Sequence, residues 1–360
     1  METVRARTPV DIAVMAPYLL GFHPEDSLVL LALDGRRVGL IQRCDIVPDE
    51  HAERAVRQMV GQVVQTRARA VVAVAYETRS GASARMRAVL ADLVDRGVIG
   101  CSPVVVVRDG RWHSPDRDVE GWEEDGVVLP EASRVPGVAA LVAHGRAPLR
   151  TRSDLAEQVA AGTHPCSTRV ETLLAHRPKG PRGRARAISA WTAVLSAREP
   201  VDDLDDEVVV DLVVSLRDRA WRDALLAVLT PGPDAVPGID PDDLRAAAAA
   251  ARCCTWAHGA AGSGGGEVDG APALDGAPAL ADEAALDVEA LLDRLCGVAR
   301  RVPEPRSAAL LTVVGQVAWW SGSGALAGVA LEAALRADPR YRLAVLLDQL
   351  VTHGIRLPAA

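Results

Sequence analysis

Pro17-Tyr18-Leu19-Leu20-Gly21-Phe22-His23-Pro24-Glu25-Asp26-Ser27 runs directly into the apolar stretch Leu28 to Leu33. Upstream, Thr8-Pro9-Val10-Asp11 reads as a helix start, with Thr as N-cap, Pro in the first helical position and an acid in the third. Ile12, Met15, Ala16, Leu19 and Leu20 follow at helical spacing, and Gly21 is placed to end the helix. Ser27 to Leu33 is continuously apolar after its serine, the pattern of a strand covered on both faces. Asp34-Gly35 is a hairpin signal, so a return strand is expected over Val38 to Cys44. Helix, corner and hairpin together open an α/β domain.

The pattern continues outward from that hairpin. A helix is expected across Asp49 to Thr66, a strand at Ala70 to Tyr76, a loop at Glu77 to Gly81 and a helix to Arg96. Pro103 to Val107 is β-branched, and Asp109-Gly110 turns it back through Arg111-Trp112-His113. This order predicts an N-terminal α/β domain with a mixed sheet over residues 1–150, closed by a helix from Val135 to His144.

From about Thr151 the strands disappear. Ser153, Ser167, Asp203, Asp240 and Asp282 each precede a Leu/Ala/Val pattern of helical period and can serve as N-caps. The second half is therefore expected to be an all-α C-terminal domain, in two parts at 151–257 and 282–360. Between them, 258–281 is a Gly/Ala/Pro-rich insert that repeats Asp-Gly-Ala-Pro-Ala-Leu in tandem and reads as a flexible low-complexity loop. Near 308–340, Gly315, Gly322, Ala327, Ala334 and Pro339 stand where a tetratricopeptide repeat needs small residues and a terminal proline. A TPR-like helical hairpin is expected there, and generic small-residue packing explains the spacing as well.

Bulk properties exclude several classes. A hydrophobic content of 49% with 24% charged residues belongs to a globular chain rather than a disordered one. No apolar run reaches the ~20 residues that a membrane span needs, and the start lacks a signal-peptide core. The six cysteines show no C-x-x-C spacing, so a metal site is not expected and a reducing, cytoplasmic setting is. Cys253-Cys254 reads as a buried pair. A net charge of −8 argues against nucleic acid. The basic cluster His176, Arg177, Lys179, Arg182, Arg184 and Arg186 reads as a solvated junction that complements downstream acids. Trp112, Trp122, Trp319 and Trp320 are expected as core or interface anchors.

One constellation has the materials for chemistry. With Asp34-Gly35 as the loop, Asp26 lies opposite Arg43; with Gly35-Arg36, it faces Asp45. Either register gathers His23, Glu25, Asp26, Arg43 and Asp45 at one end of the hairpin. A histidine with carboxylates and an arginine suits acid–base work or the grip of an anionic ligand. The same residues equally suit a structural role, with a carboxylate capping the turn and an Asp–Arg pair closing the hairpin. The loop Glu77-Thr78-Arg79-Ser80-Gly81, between a strand and a helix, is a second and weaker candidate for an anion. It matches no phosphate-loop pattern, and no nucleophile-elbow or metal-helix motif is present.

Pro9-x-Asp11, the Pro17-to-Ser27 segment, Arg43-Cys44-Asp45, Gly110-Arg111-Trp112 and the Trp320-to-Pro339 segment resemble the actinobacterial family known as domain of unknown function 4192. The resemblance spans most of the chain apart from the Gly/Ala/Pro insert. Its family pattern includes a cysteine-rich segment after the Gly-Arg-aromatic turn, whereas His113 to Pro130 has no cysteine here. The resemblance implies no reaction, cofactor or partner. With no catalytic motif and a long helical region, the expected function is a protein-interaction or regulatory module that docks a partner on its C-terminal helices. The alternative is a small-ligand binder or enzyme with its site at the start of the first hairpin.

Overall fold

The computed structural model describes residues 6–34, 37–66, 68, 70–115, 125–143, 145–176, 184–196, 198–232, 237–254, 256 and 286–355. Among these, one compact unit runs to Leu155 and includes Ser323–Ala325 and Thr352–Ile355; the other holds Ala156–Gly322 and Leu326–Val351. The insert at 258–281, Trp122 and three residues of the basic cluster, Arg177, Lys179 and Arg182, lie outside the described residues.

In the first unit, α1 (Pro9–Leu20) begins with a reciprocal capping box between Thr8 and Asp11 and ends at Gly21, whose φ is 84°. The strands β1 (Ser27–Asp34) and β2 (Arg37–Asp45) form the expected hairpin. Helix α2 (Asp49–Gln65), β3 (Ala70–Tyr76), α3 (Ala84–Asp95), β4 (Gly100–Cys101), β5 (Val105–Arg108), β6 (Arg111–His113), β7 (Val127–Val128) and α4 (Pro136–Ala143) follow. The sheet order is β2-β1-β3-β5-β6-β7, with β4 paired to β3. β3 is parallel to β5 and antiparallel to β1, so the sheet is mixed as expected.

Alternation along β1 divides the faces. Val29 and Leu31 pack with Ile12, Ala13 and Ala16 of α1, together with Val72, Val74, Tyr76 and Trp112. On the opposite face, Gln42 of β2 bonds Gln62 of α2. The crossovers β2-α2-β3 and β3-α3-β5 step in the same direction, so the right-handed rule places both helices on one face, and α2 does contact α3. The connections at this sheet edge therefore do not diverge around a topological switch point.

Next to the turn the register is that of the Gly35-Arg36 alternative, and toward Asp26 it departs from both expectations. Asp34 pairs with Arg37, and a bulge between Leu31 and Leu33 then shifts the pairing to Val29 with Arg43 and Ser27 with Asp45. Neither Arg43 nor Asp45 lies opposite Asp26; instead the Asp26 carbonyl accepts the amide of Ile46 at 2.7 Å. One extra residue in β2 is enough, because register is counted residue by residue from the turn.

The second unit is helical. Its elements are α5 (Arg152–Gln158, which begins in the first unit), α6 (Ser167–His176), α7 (Arg184–Leu195), α8 (Asp206–Ser215), α9 (Arg219–Leu229), α10 (Pro241–Ala250), α11 (Val288–Arg301), α12 (Ala308–Ser321), α13 (Gly324–Ala337) and α14 (Arg342–Thr352). Trp191, Leu195, Leu212, Trp221 and Leu225 are fully buried at its centre. Asp240 caps α10 as expected. The caps near Ser153 and Asp203 are in fact Thr151 and Asp205; Asp287 caps α11, and Asp282 lies outside the described residues. Arg184, from the basic cluster, pairs with Asp218 and Asp243 and lies 5.0 Å from the Trp221 ring centroid.

Helices α12 and α13 meet where the small residues stand. A Cβ on Gly315 would lie 2.8 Å from Leu331 Cγ, and Leu331 is fully buried and cannot withdraw. Gly315→Ala is expected to cost about 1–3 kcal/mol in urea unfolding. A neutral result would mean that the helices do not pack this closely.

Candidate functional site

The corner between α1 and β1 is pinned from two sides. Leu149 donates its amide to the Gly21 carbonyl at 2.8 Å and accepts the His23 amide at 2.9 Å, which bridges Phe22 to Leu149. Phe22 is buried, and the Arg43 guanidinium lies 5.7 Å from its ring centroid. Arg43 Nε donates to Ser27 Oγ at 2.9 Å, another nitrogen bonds Asp45, and the Ser27 hydroxyl donates to the Glu25 carbonyl. Arg43 thus joins Phe22, Ser27 and Asp45 on the α1 face of the hairpin. The expected Asp26–Arg43 pair across the hairpin does not form: Arg43 pairs with Asp45 on its own strand, and its bond to Ser27 is what links β2 to β1.

Asp26 turns the other way, toward the second candidate loop. Its backbone adopts φ 37°, a left-handed conformation that aspartate tolerates better than most residues. Its carboxylate accepts the Thr78 amide at 2.9 Å and the Thr78 hydroxyl at 2.8 and 2.9 Å. The amide bond first, then the hydroxyl, holds the carboxyl below its usual range; partial burial opposes this and Arg79 adds to it. The two regions singled out in the sequence are therefore one structure, the start of β1 clipped to the end of β3.

Glu77 completes the clip from inside. Its side chain is 1% exposed and accepts from Gly81 N at 3.0 Å, Ser83 N at 2.9 Å and the Ser83 hydroxyl. Arg108 of β5 lies 3.4 Å away, and Arg87 Nε donates to Ser83 Oγ at 2.8 Å. The amides leading into α3 are thus already occupied by a carboxylate of the chain itself. Reading this loop as an anion cradle missed that its own glutamate folds back onto it. A glutamate directly after the apolar run of β3, with Gly and Ser a few residues on, is the available signal.

His23 and Glu25 remain exposed, and among the described residues their side chains make no hydrogen bond or ion pair. The cluster therefore divides: Asp26, Arg43 and Asp45 are engaged in internal bonds, while His23 and Glu25 face solvent. Asp26→Ala is expected to cost about 1–2 kcal/mol through the loss of the Thr78 bonds, and Asp26→Asn clearly less. Chemical denaturation of the two variants checks the order. Among the described residues, no group of three or more His, Cys, Asp or Glu side chains is arranged to hold a metal ion.

A family model described as a domain of unknown function (DUF4192) matches residues 9–262 and 271–357. The chain belongs to this family. The DUF4192 match begins at the first residue of α1, takes in the whole clipped corner and continues through α14. Its one internal gap falls within the Gly/Ala/Pro insert. No curated protein and no solved structure matches the chain.

Proposed function

We propose that the chain is a protein-interaction or regulatory module whose docking face lies on the C-terminal helices. One observation carries this reading. Leu343, Leu346 and Leu350 recur at i, i+3 and i+7 on α14 and are all solvent-accessible, Leu346 at 47% exposure. An apolar stripe at that spacing suits a helix that lays one face against a partner. Ala344 and Leu347 face inward, so α14 has a second apolar face beyond the one it packs on its own unit. The TPR-like reading of α12 and α13 belongs to the same proposal, with Gly315 as its tightest crossing point.

Affinity capture from native lysate, with and without Leu343→Asp/Leu346→Asp, tests this. A stoichiometric protein partner lost in the variant supports it; the absence of a partner, or equal recovery, contradicts it. The setting we infer is cytoplasmic, supported by six scattered cysteines with no C-x-x-C spacing. Among the described residues, no helix is long and apolar enough to cross a membrane.

A second reading rests on the solvent-facing His23 and Glu25, which flank the start of the hairpin that also carries Asp26, Arg43 and Asp45. Together they are suited to a small polar ligand at the hairpin end. Thermal-shift screening against nucleotides and phosphorylated metabolites tests it, with His23→Ala/Glu25→Ala as control. Stabilisation of the wild type alone supports a site there, and identical profiles remove it.

A further inference from the structure

His164-Pro165-Cys166 immediately precedes α6, in the second unit. The Cys166 carbonyl accepts the Val170 amide at 3.0 Å, so Cys166 stands at the positive end of that helix. Its Sγ lies 3.1 Å from His164 Nδ1 and 3.3 Å from Arg301 Nε. His164 Nδ1 also accepts the Cys166 amide at 3.3 Å, which places the ring proton on Nε2. That nitrogen is 3.5 Å from Asp202 Oδ1. Thiol, base and orienting carboxylate therefore stand in the order that activates a nucleophile. The thiol is half-buried and Asp202 is exposed, so the cluster opens to solvent.

We propose that Cys166 is a modification site, a thiol activated by His164 and oxidised by small hydroperoxides. Its surroundings, a guanidinium and a helix N-terminus at a partly exposed sulfur, are those of reactive cysteines. Burial pushes the Cys166 thiol above its ordinary range, Arg301 pulls it down, and the Asp206 carboxylate, which also takes a hydrogen bond from the thiol, raises it. The resting sulfur therefore keeps its proton, shared between Asp206 and His164, and its activation depends on the His164 base in contact. His164 Nδ1 takes that proton as sulfur attacks one peroxide oxygen. The S–O bond forms, the O–O bond breaks, and the departing hydroxide leaves as water with the proton from His164. Sulfur is oxidised by two electrons to the sulfenic acid, and the peroxide is reduced. Cys254 and Cys296, by contrast, are buried and pushed up to about 12, which keeps them inert. Cys44 is an internal comparison: it is half-buried like Cys166, and among the described residues it has no histidine in contact.

The test exposes the full chain to hydrogen peroxide with dimedone and compares labelling of Cys166 and Cys44 by peptide mass spectrometry. Cys166 is expected to label at least roughly tenfold faster, a threshold set below the about hundredfold that a positioned base typically contributes. His164→Asn presents an oxygen that can accept the Cys166 amide but is no base, and is expected to bring the rate down to that of Cys44. Asp202→Asn, at an exposed position, is expected to slow labelling severalfold with an unchanged Tm. Equal labelling of Cys166 and Cys44 in the wild type overturns the proposal, as does an unchanged rate in His164→Asn. Should His164→Asn not fold, an unchanged rate in Asp202→Asn is equally decisive against it.

Discussion

Arg301→Met is expected to destabilise the second unit by about 3–5 kcal/mol, the cost of leaving one member of a buried ion pair without its partner. The Arg301 and Asp206 side chains are 3% and 2% exposed and meet at 2.7 Å. The same guanidinium serves the Val201 and Leu204 carbonyls and the Cys166 sulfur, so α11 is tied to the start of α6 and of α8 through one side chain. Arg169 also bonds Asp206, which keeps the loss near the lower end of that range. A fall in Tm on the order of 10 °C corresponds to it for a unit of this size. Arg301→Met/Asp206→Leu is expected to recover much of the loss, because it leaves no uncompensated charge.

The pH dependence follows from the same pair. Burial alone would raise the Asp206 carboxyl, but hydrogen bonds from Arg301, Arg169 and Cys166 together hold it below its ordinary value of 3.8. A carboxyl lowered on folding contributes its full stability above the unfolded value and loses it as pH falls through the folded one. The wild type is therefore expected to lose more stability between pH 5 and pH 3 than Asp206→Asn does, measured by denaturant unfolding at each pH.

The second large effect is expected at Glu77. Glu77→Ala leaves Gly81 N, Ser83 N and the Ser83 hydroxyl without their acceptor and Arg108 without its carboxylate. Buried donors left unpaired cost about 1–3 kcal/mol each, so a total near 3 kcal/mol is expected after partial rehydration. Glu77→Gln retains an oxygen for Ser83 but turns an amino group toward Gly81 or Arg108, and should recover less than half of the loss. Amide hydrogen exchange at Gly81 and Ser83 reads this directly. Acceleration at those two amides in Glu77→Ala is the expected result; unchanged protection would show that the clip does not hold the loop.

What was legible in the sequence is what local chemistry decides. Thr8, Pro9, Asp11 and Gly21 mark α1 because caps act within a few residues, and β3 is apolar enough to be read to its ends. The bulge in the first hairpin is not legible, since nothing in Leu31-Ala32-Leu33 marks an unpaired residue on the facing strand. β4 and β7 have two residues each, too few to show alternation. The caps at Thr151 and Asp205 were missed by two residues because neighbouring Ser and Asp residues offer the same oxygen.

The candidate site was half legible for the same reason. Gly21 to Ser27 was recognisable as a demanding corner, and Arg43 and Asp45 are its neighbours. That Asp26 would reach Thr78, fifty-two positions along the chain, depends on β1 pairing with β3. Arg301 and Cys166 are farther apart still, 135 positions, and nothing local in either segment names the other.

The central claim is that the corner between α1 and β1 is a structural clip and that recognition belongs to the C-terminal helices. One capture experiment, run in parallel on His23→Ala/Glu25→Ala and Leu343→Asp/Leu346→Asp, tests it most directly. Both pairs of positions are solvent-accessible, so both variants should fold. The account predicts full recovery of a stoichiometric partner with the first variant and its loss with the second. Loss with the first and full recovery with the second would contradict it.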